Sequence, residues 1–508
     1  MTEQQQAEVL AFLLDGALGN GVERIDTHGA IVLLAGERAY KLKRAVRFSF
    51  MDFSTLDLRE AALRSELELN RRTAPMLYRR VLPITREPDG SLALDGSGSP
   101  AEWLLEMSRF PESAQLDHVA ARGELTANLV EALAATISEF HATAEIHRDR
   151  GGFAAMRDVV EGNAGDLTSL APEVLDAKAV AALNRATSEL LEASAALLER
   201  RRLAGRVRHC HGDLHLANIV LLDRRPVLFD CLEFDAALAC IDVYYDLAFL
   251  VMDLIERGLT DRARLLLQTY GDSVQDDSGQ ALLPLFIAIR ATIRAKVAGF
   301  NARVLEGEGR AEKVRDARAY LDLAHRALRP EPARLLVVAG RSGTGKSSVA
   351  AVLASGLGAM PGAVILRTDV IRKRLFGRHA SERLPAEAYT PDVSARVFLT
   401  VAARARELTK AGRTVIADGV YGSPVQRAQI KAAARQAGVP FRAVWLEAPE
   451  LVLERRVTER TGDASDADVA VVRNQARSLK DPSVTWPRVG AGRALAEVAA
   501  DIRRIWEN

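Results

Sequence analysis

Four short apolar runs punctuate the last third of the chain: Leu335–Ala339, Ala363–Leu366, Thr414–Ala417 and Ala443–Leu446. Each is followed by a longer, charged, helix-compatible stretch. Strands that alternate with helices in this way predict βαβ units around a parallel sheet, joined by right-handed crossovers. The N-terminal part reads differently. Short strand candidates at Ala30–Leu34, Arg38–Leu42, Leu92–Leu94 and Glu102–Met107 are separated by turn signals such as His28-Gly29, Gly36-Glu37 and Pro88-Asp89-Gly90. A helix over Thr55–Arg72 interrupts them. From Ser113 onward the pattern is mostly helical, except for a strand–loop–strand passage at Ile219–Asp230. Pro330 and Pro332 disfavour helix for themselves and their predecessors, so Ala327–Arg334 predicts a linker. Three parts are expected: a small, mostly β lobe (1–110), a large, mostly α lobe (111–329) and an α/β domain with a parallel sheet (334–508).

Composition narrows the setting. The 508 residues are 48% hydrophobic and 27% charged, which excludes a disordered or collagen-like chain. Lys and Arg number 68 against 67 Asp and Glu, so no global pull toward nucleic acid or anionic membrane is expected. Cys210, Cys231 and Cys240 are too few for a disulfide scaffold and lack paired zinc spacing, which points to a reducing compartment. The opening Met1-Thr2-Glu3-Gln4 carries no signal-like basic region. The most apolar stretch, Ala236–Leu254, contains Asp242, Asp246 and Asp253 and so does not read as a membrane span. A cytoplasmic protein without a membrane partner is expected; oligomeric state is not legible.

The chemistry begins at Gly340-Arg-Ser-Gly343-Thr-Gly345-Lys346-Ser347, which fits G-x-x-x-x-G-K-[ST] directly after an apolar strand and before the helix-like Ser348–Leu357. Glycines let backbone N–H groups turn inward around phosphate oxygens, and the helix N-terminus adds a favourable dipole. Gly340, Gly343, Gly345, Lys346, Ser347 and Ser348 are therefore expected to hold ATP, with the Ser347 hydroxyl on Mg²⁺. Asp418 ends the strand candidate Thr414-Val-Ile-Ala-Asp418 as a Walker-B-like metal carboxylate. Gly419 follows where many ATPase motors carry a glutamate base, which favours transfer to an acceptor over hydrolysis. Asp369 and Arg372 are three apart on the first turn of a helix, suited to taking an acceptor proton and holding an anionic group. Arg456 and Arg460 share a helical face and are expected to close over the transferring phosphate. This set resembles the P-loop kinases of small molecules and of polynucleotide 5′ ends, such as gluconate kinase, chloramphenicol phosphotransferase and zeta-toxin-like proteins, over about Arg334–Asn508.

A second constellation precedes the linker: His209-Cys-His211-Gly-Asp213-Leu-His215-Leu-Ala-Asn218, then Pro226-Val-Leu-Phe-Asp230. Asp213 and Asn218 have the spacing of the kinase catalytic loop H-R-D-x-x-x-x-N. Asp213 is expected to accept the substrate hydroxyl proton, Asn218 to coordinate Mg²⁺, and Asp230, returned by a hairpin, to be the second metal ligand. His209, His211 and His215 lack zinc-ligand spacing among themselves, and His209 is expected to bond to backbone. Ala39-Tyr-Lys41 supplies a phosphate-binding lysine; Lys43 lies on the same strand face, and the preceding Ala favours Lys41. Glu66 sits among Ala62, Leu63 and Leu69, where a carboxylate needs a partner, whereas Glu68 has Arg64, Arg71 and Arg72. Glu66 is therefore the expected partner of the lysine.

Together these residues resemble the aminoglycoside phosphotransferase and choline kinase superfamily, which has the protein-kinase-like fold, from about Arg24 to Arg329. The resemblance implies that Asp246 is structural and that Glu102–Met107 is the interlobe hinge, where the Met107 backbone meets adenine. The glycine-rich loop is reduced to His28-Gly29, Ala217 stands where Gly is frequent, and Cys231-Leu232-Glu233 replaces Phe-Gly after Asp230. The order of the modules resembles a bacterial family of uncharacterised fusions between these two types. The expected function is ATP–Mg²⁺-dependent phosphotransfer at two nucleotide sites to small hydroxylated substrates. Acids at Asp158, Glu161, Asp166, Glu173 and Asp176 leave an aminoglycoside acceptor open. Two alternatives are a nucleotide-sensing protein with one non-catalytic half, and a polynucleotide 5′-hydroxyl kinase drawing on the basic run Arg367, Arg372, Lys373, Arg374 and Arg378.

Overall fold

A computed structural model describes residues 3–27, 29–48, 51–233, 235–378, 382–459, 464–478 and 485–507. The chain forms two compact units, Met1–Ser169 with Ser188–Leu254, and Leu170–Thr187 with Ile255–Asn508.

In the first unit a six-stranded antiparallel sheet runs in the order Glu23–Asp26, Ala30–Ala35, Arg38–Lys43, Ser99–Ser108, Tyr78–Arg86, Leu92–Leu94. The Tyr78–Arg86 strand has no simple apolar alternation: Arg79, Arg80 and Pro83 interrupt it, and its pairing shifts between Tyr78 and Arg80 and between Ile84 and Thr85. Helix Leu56–Arg71 crosses this sheet; its N-terminus is capped by Thr55, whose hydroxyl accepts from the Leu58 N–H at 3.3 Å. Leu63 and Leu67 on its inner face meet Ala39, Leu105 and Met107 of the sheet in one apolar cluster.

The acids of the apolar stretch each satisfy something buried. Asp242 forms a two-point pair with Arg201 at 2.7 and 2.9 Å. Asp246 and Asp253, on helix Val243–Glu256, accept backbone N–H groups of the loop after the strand Val207–His209: His211 and Gly212 for Asp246, Leu216 for Asp253. They are the price of fixing an irregular loop in a dry interior. Among the described residues no helix is long and apolar enough to cross a membrane.

The second unit is built on a five-stranded parallel sheet in the order Val364–Arg367, Val415–Gly419, Leu335–Gly340, Phe441–Glu447, Arg488–Gly490. All six residues of Leu335–Gly340 are buried, as a central parallel strand covered on both faces requires. Val337, Ala417 and Trp445 enter the apolar layer on one face; Val338, Ile416 and Leu446 enter the other. Helix Thr260–Val274 lies along the Val364–Arg367 edge, where the Gln268 side chain accepts the Ile365 N–H at 2.9 Å and so covers an edge donor. Arg374 reaches Asp272 at 2.8 Å, and Arg404 reaches Asp277 at 2.8 Å and Asp272 at 3.1 Å.

Candidate functional site

In the first unit, strand Arg38–Lys43, helix Leu56–Arg71 and hairpin Ile219–Leu222/Arg225–Leu228 bring the expected residues together. Lys41 Nζ donates to Glu66 Oε1 at 2.7 Å and to Asp230 Oδ1 at 2.6 Å. Burial opposes the Lys41 ammonium, but Asp230, Glu66 and Glu233 more than offset it and hold its pKa well above the usual lysine range. For Asp230 burial raises the carboxyl pKa, and Lys41 overrides it downward. The backbone of Asp230 sits at φ +59°, a left-handed conformation stabilised from both sides: its N–H donates to the Tyr78 hydroxyl at 3.0 Å, and the next N–H, of Cys231, donates to Asn70 Oδ1 at 2.9 Å.

Across the cleft, Asn218 Nδ2 donates to Asp213 Oδ2 at 2.9 Å and to the Asp213 carbonyl at 3.0 Å. His215 Nε2 lies 3.4 Å from the same carboxylate oxygen. His211, fully buried, contacts the Phe229 carbonyl at 2.9 Å and ties the loop to the hairpin strand leading to Asp230. Gly212 adopts φ +84°, and a Cβ there would meet Leu232 Cβ at 2.9 Å. The Asp213 and Asp230 side chains remain 41% and 39% exposed, so both acids face an accessible cleft. Met107 pairs with both Ala39 and Tyr78 inside the sheet, its side chain in the apolar layer with Val227 and Phe229.

The two lysines that strand periodicity leaves equivalent have different surroundings. Lys43 is 3% exposed, pairs with Glu66 Oε2 at 2.6 Å and with Glu233, and lies over the Phe53 ring. It does not contact Asp230 in the way Lys41 does. Removing one member of a buried ion pair strands its partner, at a cost of about 3–5 kcal/mol. Lys43→Met should therefore lower unfolding stability by that order, read from denaturant midpoints, whereas Lys41→Met should mainly reduce phosphotransfer.

In the second unit, the loop between Leu335–Gly340 and helix Lys346–Ala354 is shaped by its glycines. Gly343 and Gly345 take φ +83° and +82°; a Cβ on Gly340 would strike the Leu446 carbonyl at 2.6 Å, and one on Gly343 the Leu453 carbonyl at 2.8 Å. Lys346 Nζ donates to the Arg341 carbonyl at 3.0 Å, folding its ammonium back over the loop. Ser347 Oγ donates to Asp418 Oδ2 at 2.6 Å, joining the two oxygen donors that a Mg²⁺ ion needs side by side. Burial raises the Asp418 pKa, against the pull of Lys346 and Arg367. Gly419 packs closely against its neighbours, since a Cβ there would lie 2.7 Å from Thr368 Cγ2.

A cleft of about 990 Å³ runs from this loop across Ser347, Ser348, Asp369, Arg372 and Asp418 to Arg456. Arg372 is held in it: Nη1 donates to the Ala388 carbonyl at 2.7 Å and to Ser394 Oγ at 3.2 Å, and its guanidinium stacks on Tyr389. Its Nε is buried without a hydrogen-bond partner. Arg460, like His28, lies outside the described residues.

Several residues that complete these sites carried no readable signal. Glu233, Asn70 and Tyr78 act through contacts 152 to 190 residues away in sequence that only the folded chain creates: Glu233 on Lys43, Asn70 on the Cys231 N–H and Tyr78 on the Asp230 N–H. Tyr389 donates to Asp466 at 2.6 Å, Lys373 reaches the same carboxylate at 3.1 Å, and Gln475 brackets Ser342 of the phosphate loop with two hydrogen bonds. Gln475 would have been approachable only as a polar residue on the inner face of helix Val469–Ser478.

The sequence profile of the Phosphotransferase enzyme family matches residues 59–281, and that of an AAA domain matches 335–482. Uncharacterized proteins of Mycobacterium tuberculosis and Mycobacterium bovis are 32% identical over 456 residues, covering 88% of this chain and 88% of theirs. Among solved structures, a gluconokinase from Sinorhizobium meliloti 1021 is similar over 35% of this chain and 97% of its own (23% identity, TM-score 0.26). A choline/ethanolamine kinase family protein from Mesorhizobium loti is similar over 64% of this chain and 99% of its own (13% identity, TM-score 0.38).

Proposed function

This chain belongs to the same family as those mycobacterial proteins and joins a phosphotransferase-family domain to a P-loop domain; on that premise we propose that each half transfers the γ-phosphoryl group of ATP to a hydroxyl of a small molecule. The observation that carries this reading is the closed set Lys41–Glu66–Asp230 facing Asp213–Asn218. On this reading Asp213 takes the acceptor proton, and Lys41 holds phosphate oxygens once a nucleotide draws it from Asp230. Mg²⁺, when bound by Asn218 with Asp230 or by Ser347 with Asp418, supplies neutralisation of phosphate charge.

In the P-loop half glycine at 419, where many ATPase motors carry a glutamate base, favours an organic acceptor over water. The unpartnered Nε of Arg372 offers a donor to an anionic acceptor, and Asp369 on the same helical turn a proton acceptor. The basic run favours neither DNA nor RNA: Arg367 faces Asp418, Lys373 Asp466, Arg374 Asp272 and Arg378 Glu382. Arg372→Ala should raise KM for an anionic acceptor about 10- to 100-fold, the worth of one charge-assisted hydrogen bond, and leave ATP affinity unchanged. Asp369→Asn should instead lower kcat. Calorimetry with a non-hydrolysable ATP analogue separates these effects from lost nucleotide binding, which would move both residues out of the acceptor site.

The test of the whole reading is a panel of sugars, aminosugars and phosphorylated metabolites with γ-labelled ATP, run on the full chain and on its Asp213→Asn and Lys346→Ala variants. Label should pass to at least one hydroxylated compound and be lost with one variant or the other. Release of label only as inorganic phosphate, equal in all three proteins, would leave a nucleotide sensor as the better description.

A further inference from the structure

We propose that His147, His209 and Cys240, with Glu145 as fourth ligand, form a zinc site beside the strand that leads into the catalytic loop. The site is separate from both nucleotide clefts and involves none of their residues.

Three backbone segments build it. Strand Val207–His209 pairs antiparallel with Cys240–Asp242, and Cys240 stands directly opposite His209. On its other side Arg208 bridges to Ile146, the His209 N–H donates to the Glu145 carbonyl at 2.8 Å, and the His147 N–H donates to the Val207 carbonyl at 3.0 Å. Residues two apart on a strand share a face, so Glu145, His147, His209 and Cys240 come to the same face of this small ribbon. One donor atom from each of His147, His209 and Cys240 lies within 4.8 Å of the other two. Tetrahedral zinc with bonds of about 2.0–2.3 Å places its donors roughly 3.3–3.8 Å apart, so side-chain adjustments of about 1 Å close the site.

Two of the donor atoms lack another partner, and the third, the Cys240 sulfur, has the Arg150 side chain beside it, which a metal ion would displace. His147 Nε2 and His209 Nε2 are both buried without a hydrogen-bond partner. The contrast is the neighbouring trio His141, Cys210 and Asp246, which also has metal-like spacing but is fully employed. There His141 meets Asp246 at 3.0 Å, and Asp246 already accepts two backbone N–H groups. Glu145 Oε2 lies 3.8 Å from His147 Nε2, in reach of a shared ion. Binding exchanges the Cys240 S–H bond for an S–Zn bond and releases one proton to solvent. Two imidazoles, a thiolate and a carboxylate fit zinc better than Mg²⁺, which prefers oxygen.

The experiment uses the full, untagged chain, apo and thiol-reduced, titrated with Co²⁺ in the presence of excess Mg²⁺ to occupy the oxygen-rich clefts. One equivalent should bind with a near-ultraviolet thiolate-to-cobalt charge-transfer band, and Zn²⁺ should displace it. Cys240→Ser should abolish the band, and His147→Gln should weaken Co²⁺ affinity about 10-fold or more. His147→Gln keeps the test decisive should Cys240→Ser not fold, because His147 lies at the margin of the core with 16% of its side chain exposed. At one fixed Zn²⁺ concentration the rise in melting temperature should be larger for the wild type than for either variant. No thiolate band in the wild type, or an unchanged band and affinity in the variants, would overturn the proposal.

Discussion

Replacing Asp213 by Asn should lower phosphotransfer at the N-terminal cleft about 10²- to 10⁴-fold, the usual contribution of a general base, while nucleotide binding persists. The substitution is close to isosteric, and an asparagine carbonyl still accepts from Asn218, which now donates to Asp213 Oδ2 at 2.9 Å. The loop does not depend on the lost charge. Asp246 holds His211 and Gly212, Asp253 holds Leu216, and His211 is tied to the Phe229 carbonyl. A fall in rate would therefore report chemistry and not a displaced loop. Single-turnover transfer from labelled ATP gives the rate, and calorimetry with a non-hydrolysable analogue gives the affinity. Full-rate transfer by the variant would assign proton acceptance elsewhere, with His215, 3.4 Å from the carboxylate, the next candidate.

Much of this cleft was legible before the fold was known, and the reason is local. Asp213 and Asn218 are held by a hydrogen bond over five residues, and the hairpin that returns Asp230 is short, so spacing alone carries their relation. Glu66 could be chosen over Glu68 because a carboxylate on an apolar helical face needs a cation, and Lys41 supplies it at 2.7 Å. The failures are tertiary. Alternation places Lys41 and Lys43 on one face and says nothing of which meets Asp230; that is decided by Glu233, which occupies Lys43. The Tyr78–Arg86 strand was invisible because its arginines and proline break the period-two pattern, yet its first residue positions the Asp230 backbone. In the P-loop half the glycines were readable because backbone geometry dictates them, and Lys346, Ser347 and Asp418 because phosphate and metal chemistry asks for those side chains at fixed spacing. Tyr389 and Asp466, which set the stage for Arg372, are joined only by folding.

Lys346→Ala should reduce the number of ATP-analogue sites from two to one in the presence of Mg²⁺. Each set of phosphate and metal groups lies within its own compact unit: Lys41, Asn218 and Asp230 in the first, Lys346, Ser347 and Asp418 in the second. The Lys346 ammonium now rests on the Arg341 carbonyl of the loop that would wrap the phosphates. Its loss removes the one phosphate-loop side chain with a positive charge matched to the β- and γ-phosphates, whereas helix Lys346–Ala354 itself tolerates Ala well. The measurement must use the whole chain. Arg374 and Arg404, on the helices bearing and flanking Asp369 and Arg372, are anchored to Asp272 and Asp277 of the segment before the linker, and Gln268 covers the sheet edge. A fragment beginning at residue 331 would leave those arginines without their acids and expose the edge of Val364–Arg367, so a failure to bind ATP there would say nothing about Lys346. In the full chain, equilibrium titration should give two equivalents for the wild type, one for Lys346→Ala, and an unchanged affinity at the remaining site. One equivalent in the wild type, or none in Lys346→Ala, would contradict two separate sites and make one half a regulatory partner of the other.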